Sequence, residues 1–317
     1  MNSTSPPAKT LAERAAEKFP TLQEILSEFV REIDTMELIS RIRKFRDLDF
    51  KRMSLHDIEI ELHSVMKFGS PESDLRPSSL CIGRDIPTGT QFYRVRPIEQ
   101  SKANVPLADM QEEVDAWEAP VQRARAQRLN QAGEPMLYTS FDPSIAIQEL
   151  GIAPDQTFAL IIYDSVQPLM ITAIGILPWS LWDIGLTNDE RVKLEILIDF
   201  LHTEFTREVG DKTEHLYKVS EVLARKYFTI PSDLHDGWQY PSAARKGGIN
   251  VCFKPSQVRS KLVLRGVAVS SLVVRDGCYM LDVKAVAQGF DEHGKFIYHS
   301  PETEAFNDVL SQFQKAS

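Results

Sequence analysis

The chain has 317 residues, 43% hydrophobic and 26% charged, a composition typical of a globular protein with a sizeable core. Its formal net charge of −9 argues against a nucleic-acid-binding protein, because phosphate backbones require a clustered positive surface. No apolar run is long enough to span a membrane, and the three cysteines lack metal-ligand spacing. With no leader pattern at the N-terminus, we expect a cytoplasmic protein without a bound metal.

The first part of the chain predicts helices. Apolar residues recur at helical spacing over 22–36, and the same pattern returns over 55–66. The polar, proline-containing stretch Ser70–Ser79 then has the composition of a linker. We therefore expect an N-terminal helical segment with its linker over 1–75 and a second domain over 80–317.

The second domain opens with a predicted strand that carries arginines. Thr90–Val95 alternates in the manner of a strand, and Arg94 and Arg96 fall on one face by its two-residue period. Arg94 alone could be an ordinary surface residue of an edge strand. Two guanidiniums on one face, however, suit a dianionic ligand. Residues 98–127 are polar and predict an excursion that contains a helix over 109–125.

The stretch 127–151 predicts a loop, a short strand and a helix of about two turns. Met136–Tyr138 is the candidate strand, Asp142 followed by proline begins the helix, and Gly151 ends it. Glu149 shares a face with the apolar residues of this helix. A buried ionised carboxylate must be paired or hydrogen-bonded. On spacing alone, the interpretation that Glu149 reaches solvent at the frayed helix end is favoured.

The rest of the chain predicts strands and helices in separate groups. Strands are indicated over 157–163 and 171–176, followed by two amphipathic helices, late strands between 248 and 283, and a terminal helix over 302–313. Without regular alternation of strand and helix, the fold class expected is α+β.

Three blocks of the sequence, in order over roughly residues 85–265, resemble the RES-domain family. An arginine, a glutamate and a serine in that order give the family its name. The matching segments are Phe92–Arg96 with Arg94, then Arg128–Asn130, Gly133, Leu137–Tyr138, Ala146 and Glu149, and finally Asp236–Ala243 with Ser242.

The resemblance implies a fold similar to that of ADP-ribosyltransferases. It would consist of a pair of small antiparallel sheets that hold NAD in a cleft, with flanking helices and the N-terminal helical segment in front. The activity implied is cleavage of the nicotinamide–ribose bond of NAD, as a glycohydrolase or a phosphorylase. Many members are toxins that deplete cellular NAD, so the expected partners are NAD, a cognate antitoxin protein and further copies of the chain, with no membrane and no direct nucleic-acid partner.

Carried onto this chain, the resemblance implies a catalytic set of Glu149, Arg94 and Ser242. Glu149 would place negative charge beside the ribosyl cation that forms when the bond breaks. Arg94 and Arg128 would bind the phosphates, because planar guanidinium forks match phosphate oxygens.

The remaining implied roles concern binding. Tyr138 would stack on the nicotinamide ring, and Ser242 would hydrogen-bond the ribose or the nicotinamide amide. Ser242 also follows a proline, as turn serines often do. Asn130 is counted among the NAD-binding residues, although a role as a turn residue is favoured.

The sequence leaves three alternatives open. The enzyme could be a mono-ADP-ribosyltransferase that modifies a protein acceptor, or the chain could be a non-catalytic nucleotide-binding or regulatory module. The presence of Glu149 and the arginines favours an enzyme. A serine hydrolase using Ser242 with His235 is the weakest alternative, because no nucleophile elbow surrounds the serine.

Overall fold

A computed structural model describes most of the chain, in seven segments: 30–31, 34–66, 82–176, 186–209, 213–231, 234–275 and 278–314. Most of the helix predicted over 22–36, and the whole linker predicted over 70–79, lie outside the described residues. None of the helices within these segments is long and apolar enough to cross a membrane.

The described segments contain eight α-helices and ten strands, so the α+β expectation is confirmed. The helices are α1 Thr35–Arg46, α2 Leu55–Met66, α3 Glu113–Ala116, α4 Pro143–Glu149, α5 Asn188–Thr206, α6 Tyr217–Tyr227, α7 Pro255–Val258 and α8 Glu304–Gln314. The strands are β1 Ile82–Ile86, β2 Gln91–Pro97, β3 Leu137–Ser140, β4 Phe158–Ser165, β5 Leu169–Ala173, β6 Gly237–Pro241, β7 Ile249–Phe253, β8 Leu262–Arg275, β9 Cys278–Phe290 and β10 Phe296–His299.

Several elements differ from the expectation, among them the excursion helix and β6, and strands β1 and β10 were not predicted either. The helix predicted over 109–125 is reduced to the four residues of α3 and a 3-10 turn at Val121–Arg123, with irregular chain around them. Strand β6 was not predicted, because Gly237–Pro241 contains a glycine and a proline, which punctuate rather than favour strands.

The strands form one hydrogen-bonded sheet in the order β1-β5-β6-β7-β3-β2-β4-β8-β9-β10. Neighbours are antiparallel except for β5 and β6, which are parallel. The expected pair of separate small antiparallel sheets is therefore not seen. The two central strands are nevertheless only briefly paired, because β2 and β3 share a single paired position, Tyr93 with Ser140.

Beyond that pair the two five-stranded halves of the sheet part. From Arg94 to Pro97, β2 continues to pair with β4. From Leu137 to Thr139, β3 continues to pair with β7. Since neither stretch pairs with the other, a gap opens between the halves at this end of the strands.

The N-terminal helices pack into the main body of the protein. Leu38 of α1 and Leu62 of α2 are fully buried in one hydrophobic cluster with Phe200 of α5, Leu223 of α6 and Trp238 of β6. The described residues of the two parts thus share one hydrophobic cluster, and the division into a segment over 1–75 and a domain over 80–317 stays a prediction.

Helix α4 packs against the strand that borders the gap. Its buried Ala146 and Ile147 share a cluster with Tyr93 and Val95 of β2, and with Phe306 of α8. This contact fixes α4 on β2, and it places the last residue of the helix, Glu149, at the edge of the gap.

Candidate active site

A cleft of about 410 Å³ lies where β2 and β3 part. Five of the six side chains predicted from the resemblance line it: Arg94, Arg128, Asn130, Tyr138 and Glu149. The sixth, Ser242, is 4% exposed and does not line the cleft. The structure therefore brings together residues that are widely separated in the sequence.

Glu149 is held through one of its two carboxylate oxygens. Helix α4 begins with the side chain of Asp142 accepting a hydrogen bond from the Ser144 amide at 2.7 Å, and Glu149 is its last residue. A carboxylate at a helix C-terminus is disfavoured by the helix dipole, so other groups must hold it there. Oε1 accepts hydrogen bonds from Ser242 Oγ at 2.5 Å, Ala243 N at 3.1 Å and Asn250 Nδ2 at 2.7 Å.

The second oxygen of Glu149, Oε2, accepts no hydrogen bond from the residues that the structure describes. Because the half-buried side chain lines the cleft, this oxygen is available to contact a ligand. The arrangement presents one fixed, negatively charged atom at the cleft wall.

The loop behind Glu149 is closed by its own contacts. Ser242 Oγ accepts from the Arg245 amide at 3.0 Å, and the Ser242 amide donates to Gly248 O at 2.8 Å. The Arg245 guanidinium in turn reaches Ser144 Oγ at 2.5 Å, at the start of α4. Ser242 therefore positions Glu149, and the ribose or nicotinamide contact predicted for this serine stays a prediction.

Arg94 and Arg96 extend from β2 towards the excursion. Arg94 Nη1 donates to Ala116 O at 3.0 Å and also to Trp117 O, and Arg96 Nη1 donates to Asp115 O at 3.0 Å. These carbonyls end the short helix α3, where backbone acceptors lack partners within the helix. Both arginines thus fasten the excursion with one nitrogen while the side chains line the cleft.

Arg128 approaches the cleft from the other direction. Its Nη2 donates to Arg207 O at 2.9 Å, and its guanidinium carbon lies 5.7 Å from the centre of the Tyr217 ring. This distance suits a cation–π contact. The backbone bond and the aromatic ring orient Arg128 before any ligand arrives.

Tyr138 and Asn130 are bound to one another. The Tyr138 hydroxyl donates to Asn130 Oδ1 at 2.7 Å and accepts from the Leu129 amide at 3.1 Å. Burial raises the pKa of this hydroxyl well above its usual value, so it stays neutral. The ring can still serve as a wall for a stacked ligand.

Asn130 has no amide hydrogen left for a ligand. Its Nδ2 donates to three backbone carbonyls, those of Arg125, Gln131 and Glu134, at 2.8 to 2.9 Å. The residue is only 2% exposed. The turn interpretation is therefore favoured over the predicted contact with NAD.

The cleft is strongly cationic, although the chain as a whole carries a net charge of −9. Five arginines line it against two glutamates. Glu134 is paired with Arg225, whereas Glu149 is held by neutral donors. Among the described residues no carboxylate lies within 4.0 Å of a lining arginine, so the guanidiniums are placed to receive an anion.

Sequence reasoning missed several lining residues. They are Arg123, Arg125, Tyr217, Tyr240 and Asn250. Asn250 did leave a signal, as the one polar side chain in the apolar strand Ile249–Phe253. The two arginines belong to the polar excursion, whose irregular backbone has no periodicity from which a shared face could be inferred.

The serine hydrolase alternative is not supported by the geometry. Ser242 donates to Glu149, while His235 contacts Thr172 Oγ1 at 3.2 Å and Lys254 Nζ at 2.8 Å. Burial and the charge of Lys254 lower the pKa of His235 to about 3. Within the described segments, no group of three His, Cys, Asp or Glu side chains is placed to hold a metal ion.

No protein-family model matches the chain, and no curated protein matches it either. The resemblance to the RES-domain family therefore rests on the three sequence blocks, and the activity that it implies is a proposal.

Proposed function

We propose that the chain cleaves the nicotinamide–ribose bond of NAD and that it is an NAD-depleting toxin of the RES type. The observation that carries this proposal is the pairing of a fixed carboxylate with unpaired arginines. Oε1 of Glu149 is held by three donors, and the same cleft contains five arginines without a carboxylate partner among the described residues. A dinucleotide such as NAD offers a cationic group to the carboxylate and phosphates to the arginines.

The chemistry requires a negative charge at one place. When the bond between nicotinamide and ribose breaks, the ribose develops oxocarbenium-like positive charge. Nicotinamide leaves as a neutral molecule and needs no general acid. Oε2 of Glu149 stabilises the ribosyl cation, and the three donors on Oε1 keep the carboxylate in place, so that little reorganisation accompanies the reaction.

The arginines and tyrosines account for binding. Arg128, oriented by Arg207 O and Tyr217, binds a phosphate through its remaining nitrogens. Tyr138 and Tyr240 line the same cleft and offer aromatic surface to the nicotinamide ring. The substrate is thereby held at both ends while its reacting carbon faces Glu149.

The arrangement of the sheet supports an ADP-ribosyltransferase-like fold. Its two five-stranded halves are joined through the single pair Tyr93–Ser140, and the cleft lies where they part. A cleft between two small sheets is the location that the family resemblance implies for NAD.

The test is to incubate the purified chain with NAD and to measure free nicotinamide by chromatography. The second product identifies the acceptor, because water gives ADP-ribose, phosphate gives ADP-ribose phosphate, and a protein acceptor gains mass. If NAD binds without nicotinamide release, the cleavage proposal is contradicted and the non-catalytic nucleotide-binding alternative is favoured.

A further inference from the structure

The end of helix α5 holds Arg128 of the cleft. Arg128 Nη2 donates to the backbone carbonyl of Arg207 at 2.9 Å. Arg207 is the C-cap residue of α5, and its backbone is extended, with φ of −51° and ψ of 132°. Its carbonyl therefore turns out of the helical direction and accepts from Arg128. The orientation of Arg128 thus depends on whatever fixes Arg207.

The side chain of Arg207 is fixed by Glu204, one turn earlier in α5. Arg207 Nη2 donates to Glu204 Oε1 at 2.8 Å, and its guanidinium carbon lies 5.6 Å from the centre of the Phe50 ring. A second arginine, Arg46 at the end of α1, places its Nε 3.7 Å from the same carboxylate oxygen. Glu204 therefore joins α1 to the residue whose carbonyl orients Arg128.

Glu204 is a costly residue at this position. Its side chain is fully buried, and Oε2 has no hydrogen-bond partner among the described residues. Burial raises the pKa of Glu204, and the charges of Arg207 and Arg46 offset only part of this effect. Apolar side chains often replace buried ion pairs without loss of stability. Stability alone therefore does not explain a carboxylate here.

We propose that Glu204 is a positioning residue for phosphate binding, which acts through Arg207 on the direction of the Arg128 guanidinium. The inference rests on the proposed function, in which Arg128 binds a phosphate of NAD. Tyr217 contacts the face of the guanidinium, and the Arg207 carbonyl fixes one of its nitrogens. With both anchors in place, the remaining nitrogens of Arg128 are set in advance for a phosphate in the cleft.

Binding of ADP and of adenosine to the full chain tests the proposal, because neither contains the scissile bond. The ratio of the two affinities measures what the phosphates contribute. Arg128→Gln should lower this ratio at least about tenfold, since hydrogen bonds between charged groups are the strong ones. Glu204→Gln is nearly isosteric but uncharged, and it should lower the ratio about threefold to tenfold. Its affinity for adenosine should change little.

The double variant separates positioning from a general loss of structure. If Glu204 acts only through Arg128, adding Glu204→Gln to Arg128→Gln should weaken ADP binding no further. The same additional loss in both backgrounds overturns the proposal, as does a Glu204→Gln chain with the wild-type ratio. A wild-type chain that binds ADP no more tightly than adenosine overturns it as well.

Glu190→Gln is the matched control at the opposite end of α5. Glu190 is also a buried carboxylate and pairs with Arg31, but it caps the start of the helix through Thr187. The variant should lose stability in urea and keep the wild-type ratio of affinities. A ratio that falls as far in Glu190→Gln as in Glu204→Gln overturns the positioning role, because any loosening of α5 would then suffice.

Glu204→Met provides a second variant should Glu204→Gln not fold. Methionine fills a similar volume without a buried polar group, and the two arginines are 21% and 37% exposed, so they can reach water. We expect a folded chain by circular dichroism with the same lowered ratio. A folded Glu204→Met chain with the wild-type ratio overturns the proposal.

Nicotinamide release from NAD, measured in parallel, separates this proposal from the cleavage itself. Glu204→Gln should raise KM while kcat stays nearly constant, because a phosphate contact is made in both the ground and the transition state. The expected ADP pattern without any nicotinamide release supports the positioning role and contradicts the cleavage. Release by a Glu204→Gln chain with the wild-type KM and the wild-type ratio overturns the positioning role alone.

Discussion

Ser242 Oγ donates a 2.5 Å hydrogen bond to Glu149 Oε1, across 93 residues of sequence. The bond joins the loop after β6 to the end of α4, so in the proposed mechanism the serine acts through the glutamate. The consequences for catalysis differ between the two residues.

Glu149→Gln should abolish most of the activity without disturbing the fold. The amide is nearly isosteric and can still accept the three hydrogen bonds at Oε1, but the negative charge is lost. Because that charge matters mainly in the transition state, kcat should fall on the order of 10²-fold or more while NAD affinity changes little. Steady-state kinetics with calorimetry measure both quantities, and cleavage at the wild-type rate would contradict the mechanism.

Ser242→Ala should have a smaller effect of the same kind. Two donors, Ala243 N and Asn250 Nδ2, still hold the carboxylate, so we expect kcat to fall about tenfold with KM nearly unchanged. Both side chains act on the same oxygen, so their effects are coupled. When Ser242→Ala is combined with Asn250→Ala, the fall in kcat should therefore differ from the product of the two single falls. A large rise in KM would place Ser242 in contact with substrate instead.

Gly237→Ala should destabilise the protein strongly. An added Cβ would lie 2.2 Å from Cys252 O and 2.9 Å from Phe253 Cα, both backbone atoms that cannot move aside easily. We expect a loss of about 1–3 kcal/mol or more in the free energy of unfolding, measured in urea. Gly83→Ala is the matched control, because its Cβ would meet only the flexible side chain of Met170 at 3.1 Å. Equal losses in the two variants would contradict this explanation.

His235 should make the fold sensitive to acid. Its pKa is lowered from 6.5 to about 3, first by burial and then by Lys254. Below pH 6.5 the unfolded chain therefore binds a proton that the folded chain refuses, and stability should decrease as the pH falls from 6.5 towards 3. Urea titrations at several pH values should show a shallower decrease for His235→Gln, and identical slopes would contradict the assignment.

Removal of residues 1–66 should unfold the remaining chain. The deletion would expose Phe200 and Leu223, which are fully buried in the same cluster as residues of α1 and α2, and would remove the Glu59 partner of Lys226 at 3.0 Å. Circular dichroism during urea denaturation should show no cooperative transition. A truncated chain that unfolds cooperatively at the wild-type midpoint would instead support the domain boundary drawn from the sequence.

Local features were predictable because their determinants are adjacent in the chain. Helix α4 begins after its N-cap Asp142 and ends before the left-handed Gly151, with φ of 58°, as expected. Strand β2 carries Arg94 and Arg96, as the alternation of its residues indicated. The resemblance to the RES-domain family supplied the prediction that residues far apart in the sequence, such as Arg94 and Glu149, share one site.

The remaining features depend on tertiary contacts that leave no local signal. That Ser242 holds Glu149 depends on a contact across 93 residues. The choice between a ligand contact and a turn for Asn130 depends on its three carbonyl partners, which the sequence does not identify. The burial of α1 and α2 against later helices was hidden as well, because a polar stretch between segments resembles a linker whether or not the flanking parts touch.

The single pair Tyr93–Ser140 also has a mechanical consequence. The halves are joined again beside the gap, because α4 packs on β2 while Glu149 at its end accepts a hydrogen bond from Asn250 of β7. The width of the gap is therefore set by one backbone pair at its closed end and by the side-chain contacts of Glu149 at its wall. A substitution that removes the Asn250 contact should let the gap vary more in width, while the Tyr93–Ser140 pair stays in place.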